Sequence, residues 1–211
     1  VTIQPHDIYD FVAKNKILPK SGCRNEEEYF EFFKAFLDEG YDAVIHFDIS
    51  ADMSASYLSA TQAASRLKNV YVVDSRNLST GTALLVLDAC DMAAGGMSPA
   101  DIVARENVRS ASVQASFIID NLEYLHKGGR CSSLMYFGAN LLMIRPVIEV
   151  ADGKMGVGKK PMGRYVRCVD KYVEYIKGKY VNPDKTRCFV THTKMDAGIA
   201  EHVVAEVKSW G

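Results

Sequence analysis

Two apolar runs, Ala43-Val44-Ile45-His46-Phe47 and Val70-Tyr71-Val72-Val73, constrain this chain more than any other feature. Each is too short and too evenly apolar for an amphipathic helix and reads as a strand buried on both faces. The segment between them, about Ser54 to Leu67, carries helical spacing. Strand, helix and strand within about thirty residues form a βαβ unit, which requires parallel strands joined by a right-handed crossover.

The flanking sequence extends this α/β pattern. His6 to Asn15 reads as a short helix with Ile8, Phe11 and Val12 on one face. Asn25 precedes Glu26-Glu27-Glu28, an N-cap followed by acidic residues that favour the positive end of a helix dipole. Phe30, Phe32, Phe33, Phe36 and Leu37 make that helix strongly apolar, and Gly40 ends it. After Gly81 a helix carries Leu84, Leu85, Leu87 and Met92 and closes at Gly95-Gly96; Cys90 falls in its apolar pattern as a core residue. Ser98-Pro99 opens the next helix.

Near Ser110 the pattern changes. Val113 to Ile119 reads as a strand, Leu134 to Leu142 as a helix, and Met143 to Val150 as a strand. Asp152-Gly153 is a strong hairpin signal, with the returning strand running to about Lys160. A helix follows from Tyr165 through Ile176, then a strand at Cys188–Thr191 and a last helix capped by Thr193. The expected fold class is α/β in two domains: residues 1–110 with a parallel sheet, and residues 111–211 as α+β with an antiparallel hairpin. Two clear parallel strands are few for a doubly wound sheet, so the chain reads as a fragment.

Composition excludes several functions. The 25 basic and 26 acidic residues nearly cancel, and no nucleic-acid reading motif is present. No apolar run reaches membrane-spanning length and no signal peptide is visible, so a cytoplasmic protein is expected. The five cysteines are odd in number and form no C-x-x-C pair, which argues for reduced thiols and against a zinc site. No G-x-S-x-G elbow, Walker loop or H-E-x-x-H motif occurs.

Ligands of parallel sheets bind beyond the carboxyl ends of the strands. The loops there, Asp48 to Ser56 and Asp74 to Gly81, carry Ser50, Ser54 and Ser56, and Ser75, Ser79 and Thr80. Hydroxyls near a helix start suit a carboxylate or phosphate, and equally suit plain helix capping. Further on, Lys127-Gly128-Gly129-Arg130 places two cations around two glycines, a corner that is either an anion cradle or a solvated tight turn. His46-x-Asp48 is too short a signal for a metal, and His192 and His202 read as surface or capping histidines.

Five segments, in order, resemble the DegV family of bacterial fatty-acid-binding proteins. They are Leu18-Pro19-Lys20-Ser21, Ile49 through Tyr57, Val72 through Gly81, Glu123-Tyr124-Leu125 with Lys127 to Arg130, and Leu141 to Val150 continued by Asp152-Gly153 and Lys159 to Arg164. Gly22, Cys23 and Arg24 replace the family's usual Ser-Gln-Pro, and Ala55 and Ser56 replace its Gly-Thr.

The resemblance implies a two-domain lipid-binding protein, not an enzyme, with no cofactor or metal and with a long-chain fatty acid as ligand. It implies a chain shortened at both ends. Ser21 and Ser54 match the residues that bind the fatty-acid carboxylate, with Ser50, Ser56, Ser75 and Ser79 in nearby polar loops. Arg130, with Lys127, matches the position that contacts the acyl phosphate or the kinase. The implied partner is a separate ATP-dependent fatty acid kinase feeding phospholipid synthesis, with only transient membrane contact. The acyl tunnel would draw walls from Phe30–Leu37, Phe117–Ile119 and Leu134–Leu142. Two alternatives stand beside this reading. One is a hydrolase or transferase using Ser54 with a histidine; the other is a binder of a different amphiphile.

Overall fold

The computed structural model describes residues 3–120, 122, 124–125, 144–180, 182–193 and 195–211. In chain order these form α1 (Pro5–Asn15), α2 (Glu26–Asp38), β1 (Val44–Asp48), α3 (Ser56–Ala64), β2 (Val70–Asp74), α4 (Ser79–Ala94) and α5 (Pro99–Arg109). A 3-10 turn at Ser110–Ser112 leads to β3 (Ala115–Ile118), β4 (Val147–Ala151), β5 (Lys154–Val157), α6 (Tyr165–Lys179) and α7 (Ala197–Lys208). The predicted Gly-Gly corner with Lys127 and Arg130, Cys131 and the expected helix at Leu134–Leu142 lie outside the described residues.

β1 and β2 pair in parallel from Val44 opposite Val70 to Asp48 opposite Asp74, with α3 as the crossover. α2 starts where a reciprocal box closes: Glu28 N donates to Asn25 Oδ1 at 2.9 Å, and Asn25 N donates to Glu28 Oε2 at 3.0 Å. Its fully buried Phe33 packs against Ala60, Ala63 and Ala64 of α3. Those small side chains let the two helices approach closely over Val44, Val70 and Val72 of the sheet.

The second sheet is antiparallel in the order β3-β4-β5. Asp152 (φ 49°) and Gly153 (φ 76°) both occupy the left-handed region, as a two-residue turn with native strand twist demands. Ile148 and Leu122 form its core with Phe117, Ile119, Met155 and Val157. The Tyr172 hydroxyl of α6 ties that helix to the sheet, donating to Ser116 O at 2.8 Å.

Several expectations need correction. Cys188–Thr191 is not a strand: residues 182–193 run irregularly, held by side chains rather than by a ladder. Arg109 Nη2 meets Asp184 Oδ2 at 2.8 Å, Arg187 pairs with Asp91, and Thr191 contacts Thr80 at 3.4 Å. Asp196, not Thr193, caps α7, accepting from Gly198 N at 2.9 Å. Cys90 is exposed, because burial of Leu85 and Ala89 turns it to the outer face of α4. β4 starts at Val147, since Pro146 has no N–H for the ladder; Ile144 makes one isolated bridge with Met162.

On α5 Glu106 is fully buried, and among the described residues neither of its carboxylate oxygens has a hydrogen-bond partner. Burial first, and the neighbouring Asp88 carboxylate second, push its pKa up to about 7. Among the described residues no helix is long and apolar enough to cross a membrane.

Candidate functional site

The loops leaving β1 and β2 sit side by side at the carboxyl end of the parallel sheet. Ser50 N donates to Asn77 O at 2.9 Å, and Asp74 Oδ1 accepts from Ala51 N at 3.2 Å and Arg76 N at 2.8 Å. In the first loop the chain turns back on itself, with Met53 N and Ser54 N both donating to Ser50 O. Ser54 Oγ then accepts from Ser56 N at 3.1 Å, which closes a local turn and delays the helix start to Ser56 rather than Ser54.

Ser21 and Ser54, thirty-three positions apart in sequence, line one pocket of about 310 Å³. Ser56 and Cys23 also line it, and its apolar walls are Ile49, Met53, Leu78 and Met155. Met155 reaches the pocket from the antiparallel sheet, opposite the loop that leaves β1. Leu78 also lines a cleft of about 2870 Å³ that runs past Leu84, Phe117, Ile119 and Tyr172. The serine-lined pocket therefore adjoins a larger, largely apolar cleft at Leu78. Of the expected tunnel walls, Phe117 and Ile119 face this cleft; Phe30–Leu37 line neither cavity, because α2 packs its apolar face on α3.

The remaining predicted serines divide by burial. Ser50 is fully buried and donates to Gly153 O at 2.7 Å, tying the β4–β5 turn to the first loop. Arg76 with Asp152 at 3.4 Å, and Lys154 with Asp52 at 3.5 Å, lie on either side of that bond. Ser75 is also fully buried; it donates to Asn77 O and accepts from Asn77 N and from Thr82 Oγ1 at 3.0 Å. Neither hydroxyl faces the pocket. Ser79 is exposed at the start of α4 with φ 49° and lines the large cleft instead. Arg130 and Lys127 fall outside the described residues. Arg24 pairs with Glu28 at 2.6 Å on an exposed helix turn.

Sequence reasoning did not assign Tyr29 to the site. Its hydroxyl donates to Asp48 Oδ2 at 3.1 Å, and His46 Nε2 lies 3.3 Å from the same oxygen. Ser56 Oγ lies 2.9 Å from Ser54 Oγ. Burial pushes the Tyr29 phenol upward in pKa. The available signal was a single hydroxyl-bearing ring on an otherwise Phe-rich helix face. His192 and His202 are exposed; His202 Nε2 lies 3.1 Å from Asp170 Oδ1. Among the described residues, no cluster of three His, Cys, Asp or Glu is placed to hold a metal.

Comparison with known proteins bears on this arrangement. The DegV family, described as uncharacterised proteins, matches residues 1–210. A protein of Thermotoga maritima named as a fatty acid-binding protein is 26% identical over 204 residues, covering 94% of this chain and 70% of its own length. A DegV family protein from Thermus thermophilus, solved in a study of its fatty acid binding, superposes with a TM-score of 0.75 at 25% identity. A stearic acid-binding protein from Eubacterium ventriosum does so with a TM-score of 0.70 at 27% identity. These two comparisons cover 83% and 84% of this chain, which spans only 62% of either solved structure.

Proposed function

The chain belongs to the DegV family, and we propose that it binds a long-chain fatty acid with the carboxyl group between Ser21 and Ser54. One observation carries the reading: Ser21 and Ser54, far apart in sequence, line a single pocket that adjoins a larger, largely apolar cleft. Burial of a methylene contributes about 0.8 kcal/mol. A chain of about 16 carbons thus gains on the order of 10 kcal/mol, so the tail sets affinity and the pocket sets orientation.

The bound acid is presented to a separate ATP-dependent fatty acid kinase, and the acyl phosphate is carried on to phospholipid synthesis, with transient membrane contact at most. Arg130 and Lys127 hold the acyl phosphate or dock the kinase, a role suited to a multi-donor guanidinium. The chain acts in two domains divided at residue 110, in the cytoplasm, where the free thiols of Cys23, Cys90, Cys168 and Cys188 persist. Hydrolysis by a Ser54 nucleophile is the competing reading. It needs a base oriented on Ser54, whose hydroxyl instead contacts that of Ser56.

Two variants test the proposal. Ser54→Ala should weaken fatty-acid retention, and Arg130→Ala should slow phosphorylation by the kinase more than it weakens binding. Unchanged lipid content and unchanged kinase turnover in both would overturn it. Turnover of ester or phosphate substrates by the purified protein alone would favour the hydrolase.

A further inference from the structure

Ser50 holds two walls of the serine-lined pocket at once. On its own loop its carbonyl accepts from Met53 N at 2.9 Å and from Ser54 N at 3.2 Å. Its fully buried hydroxyl donates to Gly153 O at 2.7 Å, in the turn that leads into β5. Met155 follows two residues later, in register with Val150 of β4, and lines the pocket with Met53 and Ser54. One residue therefore fixes the Met53–Ser54 wall and the Met155 wall relative to each other.

The turn has little freedom around this bond. Gly153 is buried with φ 76°, and a Cβ there would lie 2.8 Å from Ser50 Oγ and 3.1 Å from Asp52 Oδ2. Its neighbours Asp152 and Lys154 pair with Arg76 at 3.4 Å and with Asp52 at 3.5 Å. Those pairs are exposed and add little strength; the buried hydroxyl bond is the main tie. Behind Met155 lies the Leu122–Ile148 cluster, against which it packs, with Ile148 fully buried. A methionine by itself is an adaptable wall. With its backbone tied to Ser50 and its side chain backed by a packed core, it is a firm one.

Leu78 lines both the pocket and the large cleft, so an acyl chain leaves the pocket past Leu78. The carbons next to the head group then lie among Met53, Leu78 and Met155. From this we infer that Met155 is a specificity-determining residue that restricts the pocket to acyl chains unbranched beside the carboxyl group, and that Ser50 is the positioning residue that acts through it. The inference rests on the reading of Ser21 and Ser54 as head-group contacts. It gives Ser50, whose hydroxyl does not face the pocket, a task in ligand choice.

The test offers the purified full-length protein an equal mixture of two isomeric saturated acids. One carries a methyl branch on the carbon beside the carboxyl group, the other near the far end of the chain. Their apolar areas match, so tail burial cancels in the ratio retained, which chromatography and mass spectrometry read. Wild-type protein should prefer the tail-branched acid about tenfold, as one methyl group forced against a packed wall implies. Met155→Ala should abolish the preference. Ser50→Ala should reduce it, and should change it no further in a Met155→Ala background, while lowering stability in both. Met155→Phe leaves the Ser50 bond untouched and should sharpen the preference, which keeps the inference testable if Ser50→Ala fails to fold. No preference in the wild type, or one that Met155→Ala and Met155→Phe leave unchanged, would overturn the inference with the proposed function standing. A Ser50→Ala effect on preference that persists without the Met155 side chain would overturn the positioning role. Retention of neither acid would remove the proposed function itself.

Discussion

The loops after β1 and β2 leave the same end of the same sheet with similar hydroxyl content, yet they spend those hydroxyls differently. In the first loop Ser54 and Ser56 are half-buried, line a pocket and lie 2.9 Å apart at their hydroxyls. In the second, Ser75 and Asn77 are sealed in: Asn77 Nδ2 donates to Val113 O at 3.2 Å, and its Oδ1 accepts from Leu78 N at 3.0 Å. One loop leaves two hydroxyl side chains lining a pocket. The other is a clamp that fixes where α4 begins and holds it to the chain entering β3. Burial and the identity of each partner separate the two; serine content does not.

Substitutions that act on one loop alone can break this contrast. The largest effect is expected from Gly81→Ala, because an added Cβ would lie 2.1 Å from Asn77 Oδ1. Chemical denaturation should show a loss of about 3 kcal/mol, at the upper end of overpacking penalties. A neutral result would mean that the second loop is not a rigid clamp.

The next effect concerns α4 and α5, which leave that clamp, through the buried Glu106. Its pKa rises from 4.5 to about 7 in the folded chain. Between those values the unfolded chain has released a proton that the folded chain keeps. Stability therefore falls as pH rises across this window, by at most about 1.4 kcal/mol per pH unit, and levels off above it. Denaturation curves should show this slope in the wild type and lose it in Glu106→Gln. A slope retained by the variant would place its origin elsewhere.

Ser54→Ala should weaken fatty-acid binding about tenfold, near 1.4 kcal/mol, with little change in melting temperature. Ser75→Ala should do the reverse: about 1 kcal/mol off the stability, read by denaturation, and head-group preference unchanged. If the two variants behave alike, the division of labour between the loops is wrong.

The parallel pair was legible because both strands are short apolar runs, although in the structure they are mostly half-buried rather than buried on both faces, and the hairpin because Asp152-Gly153 meets the demand for left-handed backbone. The α2 start was legible in Asn25 and Glu28 for the same local reason. Cys188–Thr191 misled because a strand is made by a neighbour; here the apolar run is held by Arg187 and Thr191 side chains instead. The resemblance singled out Ser21 and Ser54, which no spacing rule connects. Tyr29 was invisible for a physical reason: its meaning depends on Asp48, nineteen positions away, and on a fold that sets α2 against β1. Ser75 looked like a ligand residue because only tertiary contacts show that its lone pairs are already filled.

The most direct measurement is to denature the purified full-length protein, extract what it carries, and identify it by mass spectrometry. The account predicts a stoichiometric long-chain free fatty acid, reduced on Ser54→Ala and fully retained on Ser75→Ala. A ligand that is not a fatty acid, or an empty protein that also refuses added fatty acid, would contradict it.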